Sequence, residues 1–357
     1  MDLGRMNILA FGAGAIGTYV GGSLALVGHH VTFLEQPAVA AELRQRGLRL
    51  DLSLDRRSPG AGVASVPPAS FVCAASVSEA LDHGPFDVAL FALKSFDTAP
   101  ALEGLKPVAV QMPPVLCLQN GVDNEPAIAA VLGADKVIAG SATGSIGRRA
   151  AGDIVLEKAR GMGIAAGHPL SERLVAVLND AGLNARLYAR AADMKWSKLL
   201  ANLPGGATAA IVDMTIAEVF SHPGLYSLEM CLAREAQAVM AAQNIRAVDL
   251  PGVPVRLLAL ASRLPTFIAR PILKKFIGGG RGGKMPSYHI DLHAGRKQSE
   301  VAWLQGAVVR YGEQYGVPTP VNRVLTDTLL AMVRGEIPIA AYSRQPEKLI
   351  ARVAKEM

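Results

Sequence analysis

Apolar residues in the first half of this chain come in short unbroken runs, and in the second half they recur at helical spacing. Asn7 to Phe11 is a short apolar run that reads as a buried strand, and Gly12-Ala13-Gly14-Ala15-Ile16-Gly17 follows at once. Thr18 to Gly28 reads as a helix and His30 to Leu34 as a second strand, which completes one βαβ unit. Val39 to Gln45 reads as helix, ended by Gly47. Phe86 to Ala92, Val115 to Leu118 and Lys136 to Gly140 read as further strands. Strands alternating with helices predict a parallel, doubly wound sheet.

The pattern changes after Gly144. Ile154 to Glu157 and Gly163 to Ala166 are short, glycine-punctuated runs that suit antiparallel edge strands closing the first domain. Leu170 to Ala181 reads as a helix. From Asp193 onward the spacing is almost wholly helical: Met194 to Leu203, Thr215 to Phe220, Leu225 to Gln243, Val255 to Arg263, Val301 to Tyr315 and Val321 to Arg334. The fold class is therefore α/β, with a doubly wound first domain over 1–188 and an all-helical second domain over 189–357.

Composition narrows the class. With 357 residues, half of them hydrophobic and 18% charged, the chain has enough apolar surface for a core in each of two domains. The net charge of +6 favours anionic small molecules, and no dense basic face with interleaved aromatics points to nucleic acid. No run is long enough for a membrane span, and no signal peptide is visible. Cys73, Cys117 and Cys231 form no metal or redox spacing and sit in apolar settings. Together these features predict a cytoplasmic protein with three buried structural thiols.

The glycine-rich turn carries the first chemistry. Gly12 permits the tight turn, Gly14 lets the backbone approach a pyrophosphate, and Gly17 allows the helix to pack on the strand. The amides of Ala15, Ile16 and Gly17 then open a helix whose positive end faces the phosphates. The strand before and the helix after make this a Rossmann-type dinucleotide fingerprint. Glu35 ends the second strand, where a carboxylate accepts hydrogen bonds from ribose hydroxyls and favours NAD; Arg44 or Arg46 beside it would accommodate the extra phosphate of NADP. Glu35 as a plain solvated charge stays open, as does NAD against NADP.

The second half carries an ordered set of polar residues. Trp196-Ser197-Lys198-Leu199-Leu200-Ala201-Asn202 places Lys198 and Asn202 on one helix face. Pro286-Ser287-Tyr288-His289-Ile290-Asp291 and Ser299-Glu300-Val301 follow. With the GAGAIG turn, Leu93-Lys94, Gln119-Asn120-Gly121 and Gly316-Val317-Pro318-Thr319-Pro320, this set resembles the ketopantoate reductase (2-dehydropantoate 2-reductase) family over essentially the whole chain.

The resemblance implies hydride transfer from NADP or NAD to the ketone carbon of 2-dehydropantoate, giving pantoate for pantothenate biosynthesis. It assigns Lys198 as general acid, with Glu300 binding a substrate hydroxyl and orienting Lys198. Asn202 and Ser287 would hold the substrate's polar groups. Asn120 and Lys94 would line the cleft near the cofactor. A lysine suits the role because its ammonium polarises a carbonyl and protonates the developing alkoxide. The partners implied are a small 2-oxo acid and a second copy of the chain, with no nucleic acid and no membrane. Glu300 also fits a first-turn helix acid, and Ser287 also fits a helix N-cap. Lys195 reads as a surface charge on much the same face as Lys198.

One departure bears on the substrate. The family usually carries a second asparagine one helical turn after Asn202, and here Gly206 stands there within Pro204-Gly205-Gly206. A reductase of the same fold acting on a different 2-oxo acid is therefore an alternative, and a non-catalytic dinucleotide sensor is another. Gly278 to Lys284 matches the phosphate-loop spacing, but Met285 follows where Ser or Thr is needed, so the match is set aside. Its basic residues, Lys274, Lys275, Arg281 and Lys284, belong to a segment of unassigned role. His289, Asp291 and His293 share a stretch without an obvious further ligand, and no metal is expected.

Overall fold

The computed structural model describes residues 4–55, 62–264, 269 and 285–357. The basic glycine-rich stretch 274–284 lies outside them. The chain divides into two compact units, one of residues 1–195 with 250–253, the other of residues 196–249 with 254–357.

The first unit is built on an eight-stranded sheet. In chain order its elements begin β1 (Asn7–Phe11), α1 (Ala15–Leu26), β2 (His30–Leu34), α2 (Pro37–Arg46), β3 (Leu48–Asp51), β4 (Val63–Val66), β5 (Val72–Ala74), α3 (Val77–Leu81) and β6 (Val88–Phe91). They continue α4 (Thr98–Leu105), β7 (Val115–Cys117), α5 (Asn124–Leu132), β8 (Val137–Ala142), β9 (Ser145–Ala150), β10 (Asp153–Lys158), β11 (Met162–Ala165), α6 (Ser171–Asp180) and β12 (Ala185–Tyr188). The strand order is β12-β11-β8-β7-β6-β1-β2-β5, and every pairing is parallel except β8 with β11.

The strands read as continuous apolar runs because both faces of the sheet are covered. In β1, Ile8 and Ala10 enter one core cluster while Leu9 and Phe11 enter the other. The chain leaves β1 toward β2 and later returns to β6 on its other side. Strand order thus reverses between β1 and β6, and ligands of open α/β sheets bind at the carboxyl ends beside such a reversal.

Of the run from Gly144 to Gly167, which the sequence suggested as antiparallel edge strands, only β11 joins this sheet. β9 and β10 leave it for a separate four-stranded sheet of order β4-β3-β10-β9. The reason is pairing: β10 lies parallel to β3, whose partner β4 is antiparallel to it. Both β3 and β4 carry polar residues, so neither stands out as an apolar run. β11 is antiparallel to β8, but β12 extends the sheet past it.

The second unit takes over within α7 (Ala191–Asn202) and continues with α8 (Gly206–Val212), α9 (Ile216–Ser221), α10 (Pro223–Ala242), α11 (Val255–Ala261), α12 (Ser287–His293), α13 (Gln305–Tyr315), α14 (Pro320–Val333) and α15 (Pro346–Ala354). The apolar stripe Leu228, Leu232 and Met240 on α10 is buried core. A single helix over Val301–Tyr315 is not formed; a short 3-10 turn at Glu300–Ala302 precedes α13. Among the described residues no helix is long and apolar enough to cross a membrane. Cys73 and Cys117 are buried, whereas Cys231 is only half-buried, its sulfur within 3.1 Å of Arg234 Nη2.

Candidate active site

The turn after β1 is shaped for close approach of a phosphate. Gly12 has φ +87, a conformation that favours glycine, and its amide donates to Leu34 O at 3.0 Å. A Cβ on Gly17 would lie 1.9 Å from Gly12 O, so α1 can start this close to β1 only with glycine there. A Cβ on Gly14 would meet nothing within 4 Å. That open space lies over the N-terminus of α1, where Gly14 is the cap residue and Ala15 and Ile16 form the first turn. Backbone exposed beside a helix N-terminus fits a pyrophosphate.

Glu35 is tied to the turn itself: its Oε1 accepts from Ala13 N and its Oε2 from Gln36 N at 3.2 Å. The carboxylate thus sits at the carboxyl end of β2 against the fingerprint. Both arginines that could answer a second phosphate are engaged elsewhere. Arg44 donates twice to Cys73 O, at 3.0 and 2.7 Å, and pairs with Glu79; Arg46 pairs with Glu42 at 2.7 Å and donates to Ala151 O.

The carboxyl ends of β6 and β7 carry Lys94 and Asn120, both half-buried. A buried network that the sequence reading missed fixes the backbone around them. Gln119 Nε2 donates to Leu93 O at 3.0 Å, to Lys94 O at 3.3 Å and to Thr98 Oγ1 at 2.8 Å. Asn120 O accepts from Ser95 Oγ at 3.0 Å and from Asn124 Nδ2 at 2.7 Å. Single polar residues in loops carry no periodicity, so only tertiary contact reveals that they act together.

Lys195 is not a surface charge. It is 5% exposed, and its Nζ lies 2.6 Å from Gln119 O, 3.3 Å from Gly140 O and 2.7 Å from Glu125 Oε1. Burial, the largest influence, pulls its pKa down, but the charges of Glu125 and Cys117 and the hydrogen bond to Glu125 together outweigh it and the net shift is upward. Lys195 therefore holds the Gln119-Asn120-Gly121 loop by its first carbonyl.

In the second unit, Lys198 is half-buried on α7 and follows two anchored residues. Trp196 packs edge-on to Tyr311 with ring centroids 5.2 Å apart, and buried Ser197 accepts from Val248 N at 2.8 Å. Half-buried Asn202 ends the helix. Glu300 is buried at 7% exposure and starts its 3-10 turn, with Ser299 as cap. Ser287 is exposed and is the first helical residue of α12; the cap position belongs to Pro286, which removes the reading of Ser287 as N-cap.

Gly206 does not continue the helix of Asn202. α7 ends, and a new helix begins at Gly206 behind a left-handed Gly205 with φ +79. A Cβ on Gly206 would come within 3.3 Å of the Tyr288 ring, so the aromatic ring occupies the side-chain space at this position. Buried Tyr288 also feels Glu300: desolvation first, and then the Glu300 charge, pushes its hydroxyl pKa well above the usual value. Gly206, Tyr288 and Glu300 thus belong to one neighbourhood, with Ser287 next in sequence to the ring.

Beneath it lies an acid that the sequence reading did not single out. Glu229 on α10 is fully buried, and its Oε2 accepts from Gly205 N at 2.7 Å. Burial pushes its carboxyl up to about 7 from 4.5, against the Thr208 hydroxyl and the Gly205 amide. A raised acid pKa favours the protonated fold, so this contribution is complete below pH 4.5 and is lost as pH rises through about 7. Glu229→Gln is expected to gain about 3 kcal/mol over the parent between pH 4.5 and pH 8. Urea melts of both proteins across that range measure the difference, and a pH-independent gap would refute the shift.

Comparison with known proteins places this arrangement. The model of the family described as ketopantoate reductase PanE/ApbA matches residues 8–167, and that of its C-terminal domain matches residues 190–333. A 2-dehydropantoate 2-reductase of Archaeoglobus fulgidus is 27% identical over 339 residues, which are 94% of this chain and 98% of the relative. A PanE/ApbA family ketopantoate reductase of Ralstonia eutropha superposes with TM-score 0.76 at 25% identity, covering 93% of this chain and 99% of that one. D-mandelate dehydrogenase, solved with NADH and anilino(oxo)acetate, shares the fold with TM-score 0.71 at 20% identity over 92% of this chain and 99% of its own. With both family domains matched in order along the chain, it belongs to the ketopantoate reductase PanE/ApbA family of NAD(P)-dependent oxidoreductases.

Proposed function

We propose that the chain reduces a 2-oxo acid, 2-dehydropantoate in the first instance, to the 2-hydroxy acid, with NADH as the preferred cofactor. The observation that carries this reading is Lys198 half-buried on α7 directly after the anchored Trp196 and Ser197, in a chain that also keeps the dinucleotide turn. Named relatives that are 2-dehydropantoate 2-reductases support the substrate. Glu35 at the ribose position, with Arg44 and Arg46 both engaged, supports NADH over NADPH.

The open turn at Gly14 fits the pyrophosphate, Glu35 the ribose, and Lys94 and Asn120, after β6 and β7, the rest of the cofactor. When bound, the reduced nicotinamide supplies the hydride that adds to the carbonyl carbon. Lys198 polarises the carbonyl oxygen and gives it a proton, so that the C=O bond becomes CH–OH and lysine is left neutral until solvent reprotonates it. Glu300 receives a substrate hydroxyl and orients the Lys198 ammonium. Asn202 and Ser287 hold the substrate's remaining polar groups.

A second reading, another 2-oxo acid with an apolar substituent, is favoured by the Tyr288 ring standing over Gly206 where the family has an amide. Steady-state rates with NADH and NADPH across a panel of 2-oxo acids decide between them. The expected result is the highest kcat/KM for 2-dehydropantoate with NADH. A preference for an aryl or branched 2-oxo acid moves the assignment to the second reading, and no nicotinamide oxidation with any acid refutes both.

A further inference from the structure

A cluster in the second unit is not used by the proposed reaction. His289 and His293 lie one turn apart on α12, their rings stacked with centroids 4.0 Å apart and 27° between planes. Asp213, the residue that ends α8, meets them from a different part of the chain. Its Oδ1 is 2.8 Å from His289 Nε2. Ligand atoms of all three residues lie within 4.8 Å of one another. We propose that Asp213, His289 and His293 form a binding site for one divalent transition-metal ion, with Zn2+ the best match.

The donor chemistry supports this. Two imidazoles and one carboxylate form a borderline set that suits Zn2+, Co2+ or Ni2+ better than Mg2+ or Ca2+. Tetrahedral zinc sets its donor atoms ~3.4 Å apart, from Zn–N and Zn–O bonds near 2.0–2.1 Å, so modest side-chain rotation closes the cluster onto an ion. Three protein ligands leave a fourth position for water or an added ligand.

Asp213 is also held as metal-binding carboxylates are. Ser343 Oγ donates to its second oxygen, Oδ2, at 2.9 Å. That bond orients the carboxylate and leaves Oδ1 toward the histidines. Without a metal, the same geometry is a hydrogen bond between His289 and Asp213. Asp291, the acid that sequence proximity offers as third ligand, instead pairs with Arg296 at 2.9 Å. An ion here would fasten α12, which begins at Ser287, to the end of α8, which begins at Gly206.

The test is calorimetric titration of the untagged full chain with ZnCl2, paired with visible absorption on adding CoCl2. The expected result is one equivalent of Zn2+, a tetrahedral Co2+ spectrum and a higher melting temperature with the metal. His293 is exposed, so His293→Ala keeps the fold, checked by circular dichroism, and is expected to abolish that equivalent. Ser343→Ala is expected to weaken it by about 10–100-fold. Wild type that takes up no zinc, or a His293→Ala variant that keeps the equivalent, overturns the site.

Discussion

Replacing Lys198 with alanine is expected to lower kcat for 2-oxo acid reduction by about 10²–10⁴-fold, the usual contribution of a positioned proton donor. Dinucleotide affinity should stay unchanged, because the residues assigned to the cofactor, Gly12 to Gly17 and Glu35, are all in the other unit. The fold should survive as well: Lys198 is half-buried, and the anchors of its helix are Trp196 and Ser197. Lys198→Arg keeps the charge but holds its proton too tightly to donate it, so it should recover only the part of the rate due to carbonyl polarisation. Steady-state kinetics with a fluorescence titration of NADH separate the two effects. A Lys198→Ala enzyme with wild-type kcat removes the assigned role.

The largest effect on stability is expected three residues earlier. Lys195→Met leaves the Glu125 carboxylate in the interior without its counter-charge, and removes the ammonium that donates to Gln119 O and Gly140 O. Breaking such a buried pair from one side destabilises by about 3–5 kcal/mol, a large share of a typical folding free energy. Replacing both partners with apolar residues, Lys195→Met with Glu125→Leu, should restore much of the loss, since no uncompensated charge is left. Urea unfolding of the single and double variants tests this. A single variant within 1 kcal/mol of the parent would mean that the pair is not held as described. The double variant should still show weakened activity, because the loop before Asn120 has lost its support.

The contrast between Lys195 and Lys198 shows where sequence reading stops. Both lie on the same helix with similar neighbours, and from spacing alone Lys195 looks like the surface residue. Its burial depends on Glu125 and on two carbonyls, one in the loop after β7 and one within β8, contacts that no local pattern encodes. The same holds for β3 and β4, whose pairing with β10 builds a second sheet from residues that look like loop.

Gly206 makes the point on the substrate side. Its identity signals a missing amide, but only its approach to Tyr288 shows what stands in the vacated place. Asp213 and the two histidines are likewise brought together from segments 76 residues apart.

What the sequence determined alone is whatever rests on local periodicity and backbone sterics: the βαβ start, the glycines that the dinucleotide turn demands, the change to helical spacing, and the ordered polar residues that carry the family likeness. These are properties of neighbouring residues, and the chain states them directly. Tertiary structure decided which charges are buried, which acid is pushed toward neutrality and which distant side chains converge. Each of those depends on desolvation and on partners far away in the chain, and both come into being only once it has folded.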